Sequence, residues 1–462
     1  MITLLLAVYL LWPQTRPLAV RFLLASALLV TLIHFAVEGY RWQMVPIYVL
    51  TLILAIISLI ALQQSWDIKA AASILTLRLA QVGAVILLAV STALPILLPV
   101  PSIRISGGPY QVGTTTFELT DVSRKELYSG KDEPRRFQIQ VWYPSDPRPT
   151  DQAAPWMDHA DIFGQAISDF LRLPTFFLDH LTLVKTPAYL DSPVAKSNGV
   201  YPVIIFSHGW KGFAAQNTGQ ALELASHGYV VVAVQHTYGA IVTVFNDGTI
   251  TPNNPNALPS GVPDDEYDAA ARKLADQWAG DISFALSFMI RQNNDSTSPF
   301  HSALDTARVG VYGHSTGGGA AIQFCGIDPR CKALLGMDPF MTPVSPGVLE
   351  NGLTQPAFFM FSQAWADDTD SKNNRLFNGF LTHIPGNRGV ISIEGTRHYD
   401  FSDLPMLSPI SPQLGLKGSI NGKKMVEIAN TYLLEFFDMT LRGKSTNGFS
   451  GTAIFPEVQA IR

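Results

Sequence analysis

Within GVYGHSTGGG (310–319) one serine, Ser315, has a glycine two residues away on each side, Gly313 and Gly317, directly after an apolar run. At a strand-to-helix turn this Gly-x-Ser-x-Gly pattern makes a nucleophile elbow. The turn is so tight that only neighbours without side chains avoid a clash, and the hydroxyl is lifted above the sheet. The helix that follows turns free amides and its positive dipole end toward a developing oxyanion. A serine hydroxyl is a poor nucleophile at neutral pH, so it needs a general base and an acid to orient that base. With this turn the order along the chain is serine, acid, histidine.

Only His383 and His398 lie beyond Ser315. His398, in ISIEGTRHYDFSD (391–403), follows an apolar strand candidate at once and is the expected base. His383, in FLTHIPGN, sits on the connection before that strand and reads as a surface or packing residue. Two places suit the acid. Asp338 ends CKALLGMD (331–338), while Asp367 and Asp368 follow PAFFMFSQAW (356–365), the commoner location; position alone leaves them equal. Asp400 and Asp403 stand too near His398 in sequence to approach its Nδ1 easily.

A second stretch, FSHGW (206–210), also leaves a buried apolar run. Its amides can face the elbow, so Trp210 N–H and Thr316 N–H are the expected oxyanion-hole donors. His208 precedes the serine and reads as a brace for that loop. His236, ending YVVVAVQH, reads as a strand cap or pocket wall, His227 as a cation at a helix end, and His314 as a pocket wall or packing residue. No cluster of histidines and carboxylates has metal-ligand spacing, so neither metal nor other cofactor is expected. Cys325 and Cys331, in FCGIDPRC, fit neither a metal site nor a CxxC redox pair. A disulfide across that small loop and two free buried thiols fit equally.

The elements that must hold these residues can be read from periodicity. Short, nearly continuous apolar runs (137–144, 201–207, 229–236, 307–312, 331–338, 356–363 and 388–395) alternate with helical patterns at 219–228, 264–292 and 423–443. Such alternation implies a mostly parallel sheet covered by helices on both faces, with ligands at the carboxyl ends of the strands.

Residues 1–100 differ sharply from the rest. Stretches 17–37, 43–62 and 71–98 each reach the ~20 apolar residues that span a bilayer, and 1–12 is a shorter fourth candidate. Trp12, Tyr40, Trp42 and Trp66 sit at segment ends, as interfacial aromatics do. Arg16, Arg21, Arg41, Lys69 and Arg78 place the basic excess on one side, expected to be cytoplasmic. The organisation expected is therefore a membrane anchor of three to four transmembrane helices (1–100) and an extracytoplasmic catalytic domain (101–462). A net charge of -5 over 462 residues offers no basic surface to nucleic acid. The expected partners are the lipid bilayer and an ester substrate.

The chain resembles a known family on GGPYQVGTTTFEL (107–119), VWYPSD (141–146), YPVIIFSHGWKGF (201–213), LASHGYVVVAVQH (224–236), VYGHSTGGG (311–319), LLGMDPFMTP (334–343) and IEGTRHYDFSD (393–403). It is similar there to the plasma-type platelet-activating factor acetylhydrolases, a calcium-independent phospholipase A2 group of the α/β-hydrolases. The resemblance implies an α/β-hydrolase fold and hydrolysis of short or oxidised sn-2 acyl esters of phospholipids. Carried over by position, it implies a triad of Ser315, Asp338 and His398 with oxyanion amides at Trp210 and Thr316. Trp210 stands where a smaller aliphatic is familiar, Pro339-Phe340 replaces an Ala-Trp pair, and secreted members lack the anchor. These departures bear on acyl-chain preference. The rival readings are a general carboxylesterase acting on small or polymeric esters and a lipid acyltransferase.

Overall fold

Leu, Ile, Val and Ala dominate the first hundred residues, and among the described residues they form the α-helices α1 (Ile2–Leu11), α2 (Leu18–Val37), α3 (Val45–Gln63) and α4 (Ile74–Leu97). The computed structural model describes residues 1–11, 18–63, 74–103, 107–196, 199–449 and 453–461. Trp12, Arg16, Trp66 and Lys69 lie outside the described residues. The helices pack through Leu6, Leu24, Ile47, Leu50 and Leu88, while Leu32, Ile53, Ile56, Leu79 and Ile86 point outward and are exposed. Two segments, Trp42–Ile60 and Arg78–Leu97, are long and apolar enough to cross a membrane; Ile2–Leu11 and Phe22–Val37 are shorter. Among the described residues, two of the expected three to four spans therefore reach that length.

The remainder is a mixed-sheet α/β fold. Its elements in chain order are β1 (Gln111–Lys125), β2 (Pro134–Ser145), β3 (Ala153–Pro155), α5 (Ala160–Phe170), β4 (Lys185–Leu190), β5 (Tyr201–Ser207), α6 (Thr218–Ser226) and β6 (Val230–Gln235). There follow β7 (Val242–Val244), β8 (Ile250–Pro252), α7 (Asp264–Asn294), β9 (Leu304–His314), α8 (Thr316–Ile327), β10 (Ala333–Met337) and α9 (Pro346–Asn351). The chain ends with β11 (Ala357–Ser362), α10 (Gln363–Asp367), α11 (Lys372–Leu381), β12 (Asn387–Ile393), α12 (Gly422–Arg442) and β13 (Val458–Ala460).

Eleven strands form one sheet in the order β13-β12-β11-β10-β9-β5-β6-β2-β1-β4-β3. From β6 through β12 every neighbour is parallel, whereas β2 joins β6, and β13 joins β12, antiparallel. The reading of a mostly parallel sheet therefore describes its centre, and antiparallel strands flank it. The long strand β1, absent from that reading, is a flank: TTTFELTDVSRK carries polar side chains, and the strand leaves six of its fifteen positions exposed.

The centre is apolar on both faces because strand side chains alternate sides. In β5, Ile204 and Phe206 join Tyr312 and Met337 beneath Leu433 and Phe436 of α12. Val203 and Ile205 face the other way, toward Trp278 and Ile282 of α7 and Phe324 of α8. Each such side chain contributes about 1.5–3 kcal/mol of burial. This rigid centre fixes where β5, β9, β10, β11 and β12 end, and those ends carry the site.

Candidate active site

The ladder between β9 and β10 continues to His314, opposite Met337, two residues past Tyr312 where the apolar run stops. Ser315 then turns with φ 57° and ψ −124°, and α8 begins at the next residue. The two glycines are obligatory for a steric reason. A Cβ on Gly313 would lie 2.3 Å from Gly317 O, and one on Gly317 would lie 2.2 Å from Ser207 O. Gly318 and Gly319 serve the same closeness, but against Pro339 and Phe340 of the loop after β10 rather than against a strand.

Asp338 leaves β10 with a positive φ of 42°, and its carboxylate is fully buried. His398 Nδ1–H donates to Asp338 Oδ2 at 3.0 Å. The same carboxylate accepts the Ser362 amide at 2.7 Å and the Ser362 hydroxyl at 2.6 Å. Thus β11 ends, at the position commoner for the acid, with a serine that holds Asp338 at the end of its neighbour strand. Asp367 and Asp368 are exposed at the end of α10, and among the described residues neither pairs with His398.

His398 opens the turn after β12. Its ring stacks on Trp365 at 4.6 Å and 16°, and its side chain is 26% exposed. His314, read as a wall, does more. Gln216 donates to its Nδ1 at 3.1 Å, so its Nε2–H donates to the His398 carbonyl at 2.9 Å. Burial, reinforced by the charge that develops on His398, pushes the His314 imidazole well below its ordinary value and keeps it neutral. Ser362, Trp365 and Gln216 were not legible as site residues, because each acts through a contact between distant segments.

Ser315 and His398 line one cleft with Trp210, Phe170 and Leu404, around a cavity of about 160 Å³. The hydrogen bond between Ser315 Oγ and His398 is not formed in this structure, as is common in sites without substrate. With Nδ1 engaged, Nε2 is the ring nitrogen left for the cleft. Gly209 abuts Ser315, since a Cβ there would lie 3.1 Å from Ser315 Cβ. Among the described residues, neither the Trp210 nor the Thr316 amide donates to another protein group. His208 and His236 are fully buried outside the cleft; His236 therefore forms no part of its wall. His383 is exposed and faces the Leu349 carbonyl at 3.2 Å. Cys325 and Cys331 form a disulfide.

This arrangement of an elbow serine, a carboxylate-oriented imidazole and two unengaged amides can carry acyl transfer. Comparison with known proteins points the same way. The chain is similar to the platelet-activating factor acetylhydrolase of Cavia porcellus, 29% identical over 354 residues, covering 72% of this chain and 77% of that one. It is also similar to a probable 1-alkyl-2-acetylglycerophosphocholine esterase of Arthroderma benhamiae, 26% identical over 405 residues and covering 80% and 95% of the two chains. A ferulic acid esterase from Streptomyces cinnamoneus shares the fold, with a TM-score of 0.65 at 22% identity over 79% of this chain and 100% of that one. The family described as platelet-activating factor acetylhydrolase, isoform II, matches residues 99–449; this chain belongs to it and is a carboxylic ester hydrolase.

Proposed function

We propose that Ser315, His398 and Asp338 are the catalytic triad of an α/β-hydrolase acting on phospholipids with short or oxidised sn-2 acyl chains. His398 Nε2 takes the Ser315 proton as Oγ attacks the ester carbonyl, and the amides of Trp210 and Thr316 receive the oxyanion. The imidazolium returns the proton to the departing alcohol, leaving an acyl-serine. His398 next deprotonates a water that attacks this ester, and the imidazolium hands that proton to Ser315 Oγ as the carboxylic acid leaves. Asp338 keeps the proton on Nδ1 and supports the transient charge. The observation carrying this reading is the 3.0 Å contact of His398 Nδ1 with Asp338 above a strained Ser315.

The substrate class follows the names of the relatives, and the cleft agrees with it. A cavity of about 160 Å³ holds a few heavy atoms, given the roughly 30 Å³ one water occupies in the liquid. Residues 1–100 are read as a membrane anchor and 101–462 as the catalytic domain, facing away from the cytoplasm. Outward apolar side chains on α2–α4 and the Cys325–Cys331 disulfide support this. The two parts also touch: Trp42 Nε1–H donates to the Phe177 carbonyl at 3.0 Å. Segment 170–181 therefore lies beside the anchor while Phe170 lines the cleft.

The test is a panel of phospholipids with defined sn-2 chains, alongside nitrophenyl esters and acceptor alcohols. Hydrolysis of acetyl and oxidised chains that falls off with length is expected. Cleavage of nitrophenyl esters alone would make the protein a general carboxylesterase, and acyl products on the alcohols would make it a transferase.

A further inference from the structure

A second serine–histidine–aspartate chain runs beneath the cleft. His236 Nδ1–H donates to Asp281 Oδ2 at 3.0 Å, and its Nε2 meets Ser207 Oγ at 2.9 Å. Asp281 also accepts from Arg135, at 2.7 and 3.1 Å, and from Arg124 at 2.9 Å. Arg135 in turn reaches Glu126 at 2.5 Å. The His236 ring lies flat on Trp278, 4.2 Å away at 3°. Although buried, Asp281 is held far below the ordinary carboxylate range by Arg135, whereas burial pushes His236 downward. The ring is therefore neutral, and the Ser207 hydroxyl donates to Nε2.

Ser207, His236 and Asp281 are each wholly buried, and Ser207 lies in regular strand paired with Val234 and Gly313. No substrate reaches this serine, so the chain has a different use. The His236 amide donates to His208 Nε2 at 3.2 Å, which leaves the His208 proton on Nδ1, donating to Gly209 O at 2.7 Å. Gly209 O accepts a second bond from the Gly212 amide at 2.8 Å. Both acceptor directions of that carbonyl are thereby used. In a planar trans peptide the N–H points opposite the C=O, so anchoring Gly209 O sets the direction of Trp210 N–H. The other donor is referenced to the same place. Gly317, one residue after Thr316, rests on Ser207 O and His208 O so closely that a Cβ would lie 2.2 and 2.3 Å from them.

We propose that His208 and His236, held by the buried Asp281–Arg135 pair, are positioning residues that fix the oxyanion hole around Trp210 N–H. This rests on the reading of Trp210 and Thr316 as oxyanion donors. His208→Phe deletes the Nδ1 donor, and His208→Asn returns an amide donor near the same place. His236→Asn keeps a donor toward Asp281 but deletes the Nε2 acceptor. Each variant is assayed with p-nitrophenyl acetate, its sites counted by fluorophosphonate titration, and its affinity measured for a trifluoromethyl ketone, whose adduct presents an oxyanion.

His208→Phe is expected to lower kcat per titrated site about 10- to 100-fold. Ketone affinity should fall by a matching factor, KM should stay within about threefold, and His208→Asn should recover most of the loss. His236→Asn is expected to lose about 3- to 10-fold in the same two readouts. Should His208→Phe fail to fold, His208→Gln, which places its amide toward Nε2 instead, is read in its stead. Values within twofold of wild type, or a loss seen only as fewer titratable sites, would overturn the proposal. Wild-type protein that neither titrates nor binds the ketone would instead overturn the oxyanion reading beneath it.

Discussion

Two serine–histidine–aspartate chains lie in one fold, and their difference shows what makes such a chain reactive. At each, an aspartate oxygen meets an imidazole Nδ1 at 3.0 Å. Around Asp281 two arginines neutralise the carboxylate, the imidazole is sealed, and Ser207 spends its hydroxyl on a closed internal bond. Around Asp338, among the described residues, Ser362 alone assists, His398 remains partly exposed, and Ser315 is thrust into a cleft by a strained turn. The side-chain order is the same in both. On the proposed mechanism, reactivity follows from a serine that lines the cleft, an Nε2 open to it and amides with nothing to donate to.

The widest separation is expected between the two serines. Ser315→Ala should cost on the order of 10⁶ in kcat, as removal of a triad nucleophile does elsewhere. Ser207→Ala should cost less than about fivefold, because only an internal hydrogen bond of about 1 kcal/mol is lost. Steady-state kinetics on a nitrophenyl ester separates them; losses of equal size would erase the distinction.

The aspartates should differ in kind. Asp338→Asn is expected to lower kcat about 10⁴-fold with little change in unfolding temperature, since it permits the wrong imidazole tautomer. Asp281→Asn leaves Arg135 and Arg124 facing a neutral amide, so its main effect should be about 3–5 kcal/mol of lost stability. Denaturant titration beside kinetics resolves the two patterns, and a reversal would exchange the roles assigned here.

A finer probe is Ser362→Ala, which removes a charge-assisted bond to Asp338 of about 1.5–3 kcal/mol. A 10- to 100-fold fall in kcat/KM is expected; full activity would show that the carboxylate needs no such holder.

The smallest expected effect concerns a carboxyl outside both chains, Asp403. Its carboxylate accepts the Gly219 amide at 3.1 Å, at the start of α6, yet burial raises it from 3.8 to about 7. The folded protein then keeps a proton that the unfolded chain releases. The resulting stability is complete below pH 3.8 and is lost as pH rises through about 7. Thermal unfolding of Asp403→Asn relative to wild type should show a gain of a few °C on going from pH 5 to pH 8, at about 1–1.5 °C per kcal/mol for a chain of this size. A difference that does not vary with pH would place the Asp403 carboxyl back in the ordinary range.

Much of the exposed chain was legible in sequence, because its parts are local. The GHSTG turn announces itself through glycines, and the histidine after β12 is one of only two beyond the serine. Position left Asp338 and the pair Asp367 and Asp368 equal, since it cannot say which strand end faces the imidazole; the parallel ladder of β10 on β11 settles which carboxylate sits beside it. The buried chain was illegible for the same reason in stronger form. Ser207, His236 and Asp281 come from two strands and a helix, and nothing in VVVAVQH or WAGDISF marks its polar residue as a partner of the others. The apolar centre of the sheet was readable from continuous Val and Ile, whereas β1, β3, β4 and β13 are flanking strands whose polar alternation or brevity carries little signal.

Peptide mass spectrometry of the intact, folded protein after brief exposure to a fluorophosphonate tests the central claim most directly. The account predicts one adduct per chain, on the peptide carrying Ser315, absent in Ser315→Ala and never on the peptide carrying Ser207. Folded protein that takes no adduct, or takes it at Ser207, would contradict the account.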